Sequence, residues 1–267
     1  MKERDMAVPK PQPPRGLLRK IAGPITHQRW SPDPGLSTWV EHFWSVSWQL
    51  PEGETFEAAT LPHPCIHWIC EGGRSVIAGP QRRRFVRVLR GSGRVFAVKF
   101  RPGGFRDWLG GPAHPLTDTE TELSVLLPEL AADWAKLEPS VEAAEPFLLA
   151  HRPSLNPDLS ALHDLMVAIE TDRSITTVAQ LCQRTGLSKR AMQRWFRDMV
   201  GVSPKRVIRR YRLLGALDIL DTAAPGRLAE LALSLGYADQ AHFSRDFKAT
   251  IGVSPGAWIR QREDKLS

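Results

Sequence analysis

Apolar and polar residues follow two different rhythms along this chain, and the change falls near residue 155. Between residues 30 and 117, short apolar runs (Val40–Trp48, Ile66–Cys70, Val76–Ala78, Arg94–Phe100) are separated by glycine and proline breakers, a pattern that predicts strands and turns. Extended, Arg94–Phe100 places Val95, Ala97 and Lys99 on one side and Phe96, Val98 and Phe100 on the other, because successive side chains of a strand alternate. Arg101-Pro102-Gly103-Gly104 predicts a turn and Phe105–Leu109 a short helix. Residues 120–150 read as helical, with leucines 123, 126, 127 and 130 on one face and a break at Glu138-Pro139-Ser140. From Asp158 onward the pattern predicts helices near 158–171, 175–184, 188–200, 204–220, 227–235, 239–251 and 255–262. Pro153 and Pro157 prevent any helix from crossing His151–Pro157, so the domain boundary is expected there. The chain divides into a Pro-rich basic tail (1–29), an N-terminal β-rich domain ending in helices (30–152) and an all-α domain (158–264). The expected fold class is α+β.

The helical part repeats itself. Val178-Ala179-Gln180-Leu181-Cys182 with Gly186 matches Leu228-Ala229-Glu230-Leu231-Ala232 with Gly236 at a shift of 50. Beyond the turn the shift becomes 51: Met192, Arg194, Phe196, Arg197 and Gly201-Val202-Ser203-Pro204 match Phe243, Arg245, Phe247, Lys248 and Gly252-Val253-Ser254-Pro255. Each unit has the parts of a helix-turn-helix. A short helix carries alanine at the close approach, and a glycine reverses the chain. A second helix begins at a capping residue, Ser188 or Asp239. It closes at Gly201 or Gly252, and Ser-Pro then starts the next helix with serine as N-cap. A helical repeat used only for packing is the competing explanation, but solenoids need three or more units to bury a core, and here there are two.

Charge sharpens this picture. Nine basic residues and a single acidic one, Asp198, lie between Lys189 and Arg212, whereas a merely solvated face mixes signs. On the helix 188–200, Met192, Phe196 and Met199 form the apolar stripe, which leaves Lys189, Arg190, Gln193, Arg194 and Arg197 to project elsewhere. On the second unit Phe243 and Phe247 are the buried pair, which leaves Gln240, Ala241, Ser244, Arg245 and Lys248 outward. Arginine and glutamine suit guanine and adenine edges in the major groove. A structural ion pair is the alternative for Arg194, since Asp198 stands four residues on. The joining helix of about 18 residues would span roughly 27 Å, close to the ~34 Å between successive major grooves on one face of DNA. Double-stranded DNA is therefore the expected partner.

Composition adds bounds. The 267 residues suffice for two domains, and 42% apolar with 24% charged residues marks a globular chain. The balance of 36 basic to 29 acidic residues, a net charge of +7, suits a polyanion. The three cysteines, Cys65, Cys70 and Cys182, argue against a disulfide framework and fit a reducing compartment. No secretory signal and no membrane-spanning run is visible, so a cytoplasmic location without membrane association is expected.

These residues resemble the AraC/XylS family of bacterial transcription regulators. Gly186-Leu187-Ser188, Met192–Arg197 and Gly201–Pro204 look like its first unit, Arg210-Tyr211-Arg212-Leu213 its linker helix, and Gly236–Lys248 the characteristic stretch of its second unit. The match covers roughly 160–262, with two departures: Trp258 is followed by Ile259 before Arg260, and Arg190 stands where the family varies widely, so the resemblance implies no particular target sequence. The resemblance implies base contacts from Arg190, Gln193 and Arg194, and from Gln240, Ala241, Ser244 and Arg245. It implies a cupin-like N-terminal domain that binds a small effector or forms a homodimer, and RNA polymerase as a partner if the protein activates. No catalytic residue, cofactor or metal is expected.

Three features of the N-terminal domain stay open. His63, Cys65 and His67 alternate and would share one face of a strand, as metal ligands or as ordinary core residues. Seven tryptophans (30, 39, 44, 48, 68, 108, 134) either line an apolar pocket or pack a β core. The domain is either an effector sensor or a purely associating module. A DNA-alkyl-repair activity using Cys65 or Cys70 is the enzymatic alternative, and such proteins resemble a four-cysteine arrangement that three cysteines do not supply.

Overall fold

The computed structural model describes Leu18, residues 24–221 and residues 228–263. Strands β1 (Ile25–Trp30), β2 (Val40–Gln49), β4 (His67–Glu71), β5 (Arg74–Ala78), β7 (Ser92–Phe100) and β8 (Glu120–Glu122) form one antiparallel sheet in the order β1-β2-β7-β4-β5-β8. Strands β3 (Thr55–Thr60) and β6 (Phe85–Arg90) form a separate two-stranded ribbon. The alternation in β7 decides how the layers stack. Phe96, Val98 and Phe100 join Phe43, Trp68 and Ile77 in a core closed by Leu123, Trp134, Ala144, Phe147 and Leu148. Those closing residues come from α2 (Leu123–Leu126), α3 (Pro128–Trp134) and α4 (Val141–Ala150). Val95, on the other face, packs with Ile25, Trp48 and Leu89 beneath the ribbon.

Two expectations are corrected. Strand β1 begins at Ile25, inside the stretch read as tail, and Leu18 donates its backbone N–H to Ala59; the rest of that tail lies outside the described residues. Residues 120–122 are strand rather than helix, paired through Val76–Ala78. Both elements are too short for their own pattern to reveal, and long-range pairing fixes them.

The helical domain follows the predicted bounds closely: α5 (Asp158–Thr171), α6 (Val178–Thr185), α7 (Lys189–Met199), α8 (Pro204–Leu220), α9 (Leu228–Ser234), α10 (Gln240–Ile251) and α11 (Pro255–Glu263). One core runs through it, built on Leu162, Phe196, Leu213, Phe243 and Phe247. Trp39 and Leu61 of the β domain belong to the same core, so the two domains share a continuous apolar interface. Short helix α1 (Arg106–Leu109) lies at that junction, where Asp107 accepts hydrogen bonds from Trp39 Nε1 (3.0 Å) and from the backbone of Asn156 (3.4 Å).

Candidate nucleic-acid interface and β-domain cavity

The two helix-turn-helix units are α6–α7 and α9–α10, joined by α8. Their turns need left-handed backbone, and Gly186 and Gly236 supply it with φ of 72° and 74°. Helix α6 starts with a reciprocal capping box between Thr177 and Gln180. Ser188 caps α7 by accepting the Ala191 N–H, and Asp239 caps α10 by accepting the His242 N–H. Ser254 caps α11 through the Ala257 N–H at 3.2 Å. Ser203 is the N-cap of α8 without a side-chain cap bond; its carbonyl accepts the Arg206 and Val207 N–H groups at 3.0 and 3.1 Å, and Pro204 holds the first helical position.

Helix α7 buries Met192, Phe196 and Met199, and α10 buries Phe243, Phe247 and Ile251. The opposite faces are alike. Lys189, Arg190, Gln193, Arg194 and Arg197 are exposed on α7; Gln240, Ala241, Arg245 and Lys248 are exposed and Ser244 half-buried on α10. Both sets stand at the same five offsets from the helix start, and at ~100° per residue they cover an arc of about 140°. Asp198 takes up Arg106 at 3.3 Å; the ion pair weighed for Arg194 is not the one formed.

The linker helix corrects the charge reading. Arg210 is 5% exposed and donates to the Gln81 carbonyl at 3.1 Å. Burial, with Arg206 and Arg209 nearby, lowers its pKa to about 10. Arg209 pairs with Asp246. Arg212 lies 3.9 Å from the Tyr237 ring centroid and donates to the Leu235 carbonyl at 2.6 Å. With Arg206, which donates to the Arg82 carbonyl at 3.5 Å, four of the nine basic residues counted in the sequence therefore tie α8 to its neighbours.

The β domain holds a cavity of about 220 Å³ between the six-stranded sheet and the β3–β6 ribbon. Its walls are mostly apolar, with Val46, Trp48, Phe56, Ile69, Leu89 and Val95 among them. At its polar side stand His27, Arg29, His42, His67 and Lys99. Lys99 is 6% exposed and bonds Glu41 at 2.8 Å. Burial would raise the Glu41 pKa, but hydrogen bonds from His42 and Lys99 and the Lys99 charge hold it well below the usual carboxylate range. Burial also lowers His27 to about 4 and His67 to about 3. His67 is thus neutral, and since Nδ1 accepts from Trp44 Nε1 (3.2 Å) its proton sits on Nε2, toward Cys65 Sγ at 3.5 Å. The Arg29 Nε is buried with no hydrogen-bond partner among the described residues.

The tryptophans divide between the two expected roles. Trp44 and Trp48 line the cavity, whereas Trp68 and Trp134 pack edge to face in the core at 4.8 Å. His63, Cys65 and His67 all face the cavity, with only His67 in a strand. Burial pushes the Cys65 thiol up to about 12, which keeps it protonated and a poor nucleophile or ligand. Among the described residues no three His, Cys, Asp or Glu side chains converge as a metal site requires. An apolar pocket lined by tryptophans was one of the two expectations, and Trp44 and Trp48 meet it; which strands enclose the pocket was not legible, and Lys99, the lone charge in the apolar run Val95–Phe100, was a further local signal that went unread. Among the described residues no helix is long and apolar enough to cross a membrane.

Comparison with known proteins places this geometry. Residues 181–261 match a family described as a helix-turn-helix domain, and residues 28–122 match a domain of unknown function (DUF6597). The chain is 30% identical over 111 residues to the transcriptional activator RhaR of Klebsiella pneumoniae, a stretch covering 41% of this chain and 39% of that protein. It is 33% identical over 139 residues to the transcriptional regulator GlxA of Rhizobium meliloti, covering 49% and 40%. The chain thus spans about two fifths of the length of these relatives. Among solved structures, a probable AraC family transcriptional regulator from Rhodopseudomonas palustris is 30% identical over 39% of this chain and 97% of that one, with a TM-score of 0.34. ToxT from Vibrio cholerae is 14% identical over 82% of this chain and 98% of that one, with a TM-score of 0.40. By its double helix-turn-helix region the chain belongs to the AraC/XylS family, with an N-terminal domain from a family of unknown function.

Proposed function

We propose that the protein is a sequence-specific DNA-binding transcription regulator whose N-terminal domain senses a small molecule. One observation carries the DNA reading: α7 and α10 bury matching stripes and present side chains at the same five offsets, rich in arginine, lysine and glutamine. Gln193, Arg194, Gln240 and Arg245 have the donors and acceptors that read base edges. Lys189, Arg190, Arg197 and Lys248 suit phosphates, and Ala241 and Ser244 allow close approach. The relatives, named as transcription regulators, support the same reading.

The cavity favours a sensing domain over one that only mediates association. Its walls suit a mainly apolar molecule, with Arg29, Lys99 and the neutral histidines to meet one polar group. Activation through RNA polymerase and formation of a homodimer belong to the same proposal. An alkyl-acceptor role is disfavoured by the protonated, buried state of Cys65. Genome-wide mapping of the DNA bound by this protein tests the reading. Recovery of a shared sequence motif with two contacted segments about one helical turn apart is expected. Recovery of no enriched motif refutes it.

A further inference from the structure

One small unit of the β domain touches the cavity, both recognition helices and the helix that joins them. It consists of segments 79–85 and 113–119. These are bound to each other: Gly79 donates to the Thr119 carbonyl (2.9 Å) and Asp118 donates to the Pro80 carbonyl (3.2 Å). Asp118 adopts left-handed backbone (φ 59°), receives the Arg82 N–H at 2.6 Å and pairs with the Arg82 guanidinium.

On its outer side the unit grips the DNA-binding helices where each recognition helix ends. The Ala113 N–H donates to the Asp198 carbonyl (2.7 Å) and the Thr117 hydroxyl to the Gly201 carbonyl (2.7 Å), both at the C-terminus of α7. Arg84 reaches the Ile251 carbonyl at 3.4 Å, at the C-terminus of α10. Its guanidinium lies so close to Gly252 that a Cβ there would stand 2.9 Å from Cζ. A cation at this end of a helix is favoured by the helix dipole. Between these grips, Arg210 and Arg206 of α8 donate to the carbonyls of Gln81 (3.1 Å) and Arg82 (3.5 Å). On its inner side the same unit is cavity wall, since Gly79, Gln81 and Phe85 line the cavity. Gln81 thus faces the cavity while its carbonyl holds Arg210.

We infer that segments 79–85 and 113–119 form a transmission clamp, through which occupancy of the β-domain cavity sets the position of both recognition helices. This rests on the cavity being the effector site, and it adds the route. A ligand pressing on Gln81 or Phe85 displaces the backbone that fixes the ends of α7 and α10. The two grips lie on different segments, 113–117 for α7 and Arg84 for α10, so a ligand that alters the distance between those segments alters the spacing the two helices present to successive grooves. The coupling needs no ligand contact with the DNA-binding domain.

The test fills the cavity from opposite walls, so that no ligand need be known. Val46→Trp acts from β2 and Ala58→Trp from β3, both at cavity-lining positions. Each is combined with Arg84→Ala. Two readouts are taken on the full chain: hydrogen exchange of the backbone at 197–202 and 247–253, and affinity for a DNA fragment recovered by genome-wide mapping. Filling is expected to change exchange at both helix ends and to shift DNA affinity about fivefold or more, the lower end of typical coupling between sites. Arg84→Ala is expected to remove most of the filling effect at 247–253 while leaving that at 197–202. Unchanged exchange at both ends in both filled variants overturns the inference. So does a full filling effect at 247–253 in the Arg84→Ala background. If the wild type retains no genomic DNA, the proposed function fails, and the exchange arm still decides the clamp.

Discussion

Replacing Gly201 by alanine separates the cost of a backbone conformation from the cost of losing the domain contact. Gly186 and Gly201 both have left-handed backbone, with φ of 72° and 87°. Alanine in either place carries roughly 1–2 kcal/mol of backbone strain. The surroundings differ. A Cβ on Gly186 would meet nothing within 4 Å, whereas on Gly201 it would stand 2.8 Å from Pro80 Cγ, 3.1 Å from Thr117 Oγ1 and 3.2 Å from the Ala113 carbonyl. All three atoms belong to the β domain, and one of them is backbone. Overpacking of this kind costs about 1–3 kcal/mol more. Gly186→Ala is therefore expected to lose about 1–2 kcal/mol and Gly201→Ala about 2–5 kcal/mol. Urea unfolding followed by tryptophan fluorescence and by far-ultraviolet circular dichroism gives both values. Gly201→Ala should also speed proteolysis between the domains. Losses equal within about 0.5 kcal/mol, the scatter of neutral substitutions, would refute the docking of α7 against the β domain.

Other outcomes follow from the same contacts. Ser188→Ala and Asp239→Ala each remove a side-chain cap, from α7 and α10 respectively, and should cost about 1 kcal/mol, read as a lower thermal midpoint; an unchanged midpoint counts against those caps. Burial lowers His67 from 6.5 to about 3 and His27 from 6.5 to about 4, so the unfolded chain binds more protons than the folded one in between. Stability should be full above about pH 6.5 and fall as pH drops through that window, with His67→Phe reducing the slope; a flat profile from pH 6.5 to 4.5 contradicts the buried neutral rings. Arg212 packs on Tyr237, so Arg212→Ala should lower stability yet leave the salt dependence of DNA binding unchanged. Arg197→Ala should do the opposite, reducing the salt slope by about one.

The parts of this structure that were readable in the sequence are those fixed by near neighbours. The bounds of α5 and α8 depend on Pro157 and Pro204, and the faces of α7 and α10 on a 3.6-residue period. Strands β1 and β8 were not readable, because a six-residue and a three-residue strand acquire their identity from β2 and β5. Charge counting grouped Arg206, Arg209, Arg210 and Arg212 with the basic residues of α7 in one run; their partners are Arg82, Asp246 of α10, Gln81 and Tyr237, all distant in sequence and brought close by folding. The cavity depends on how the β3–β6 ribbon lies over the sheet, which periodicity within any one strand does not encode.

The most direct measurement is the affinity of Arg194→Ala, Arg245→Ala and the double variant for the DNA site recovered from genome-wide mapping, at fixed salt, beside the wild type. Both arginines are exposed, so folding should be unaffected and the comparison clean. Loss of one base-reading pair is worth about 1–3 kcal/mol, so each single variant should bind roughly 5–150-fold more weakly. The double variant should approach the affinity for unrelated DNA. Wild-type affinity in all three would contradict the assignment of α7 and α10 as the helices that read DNA.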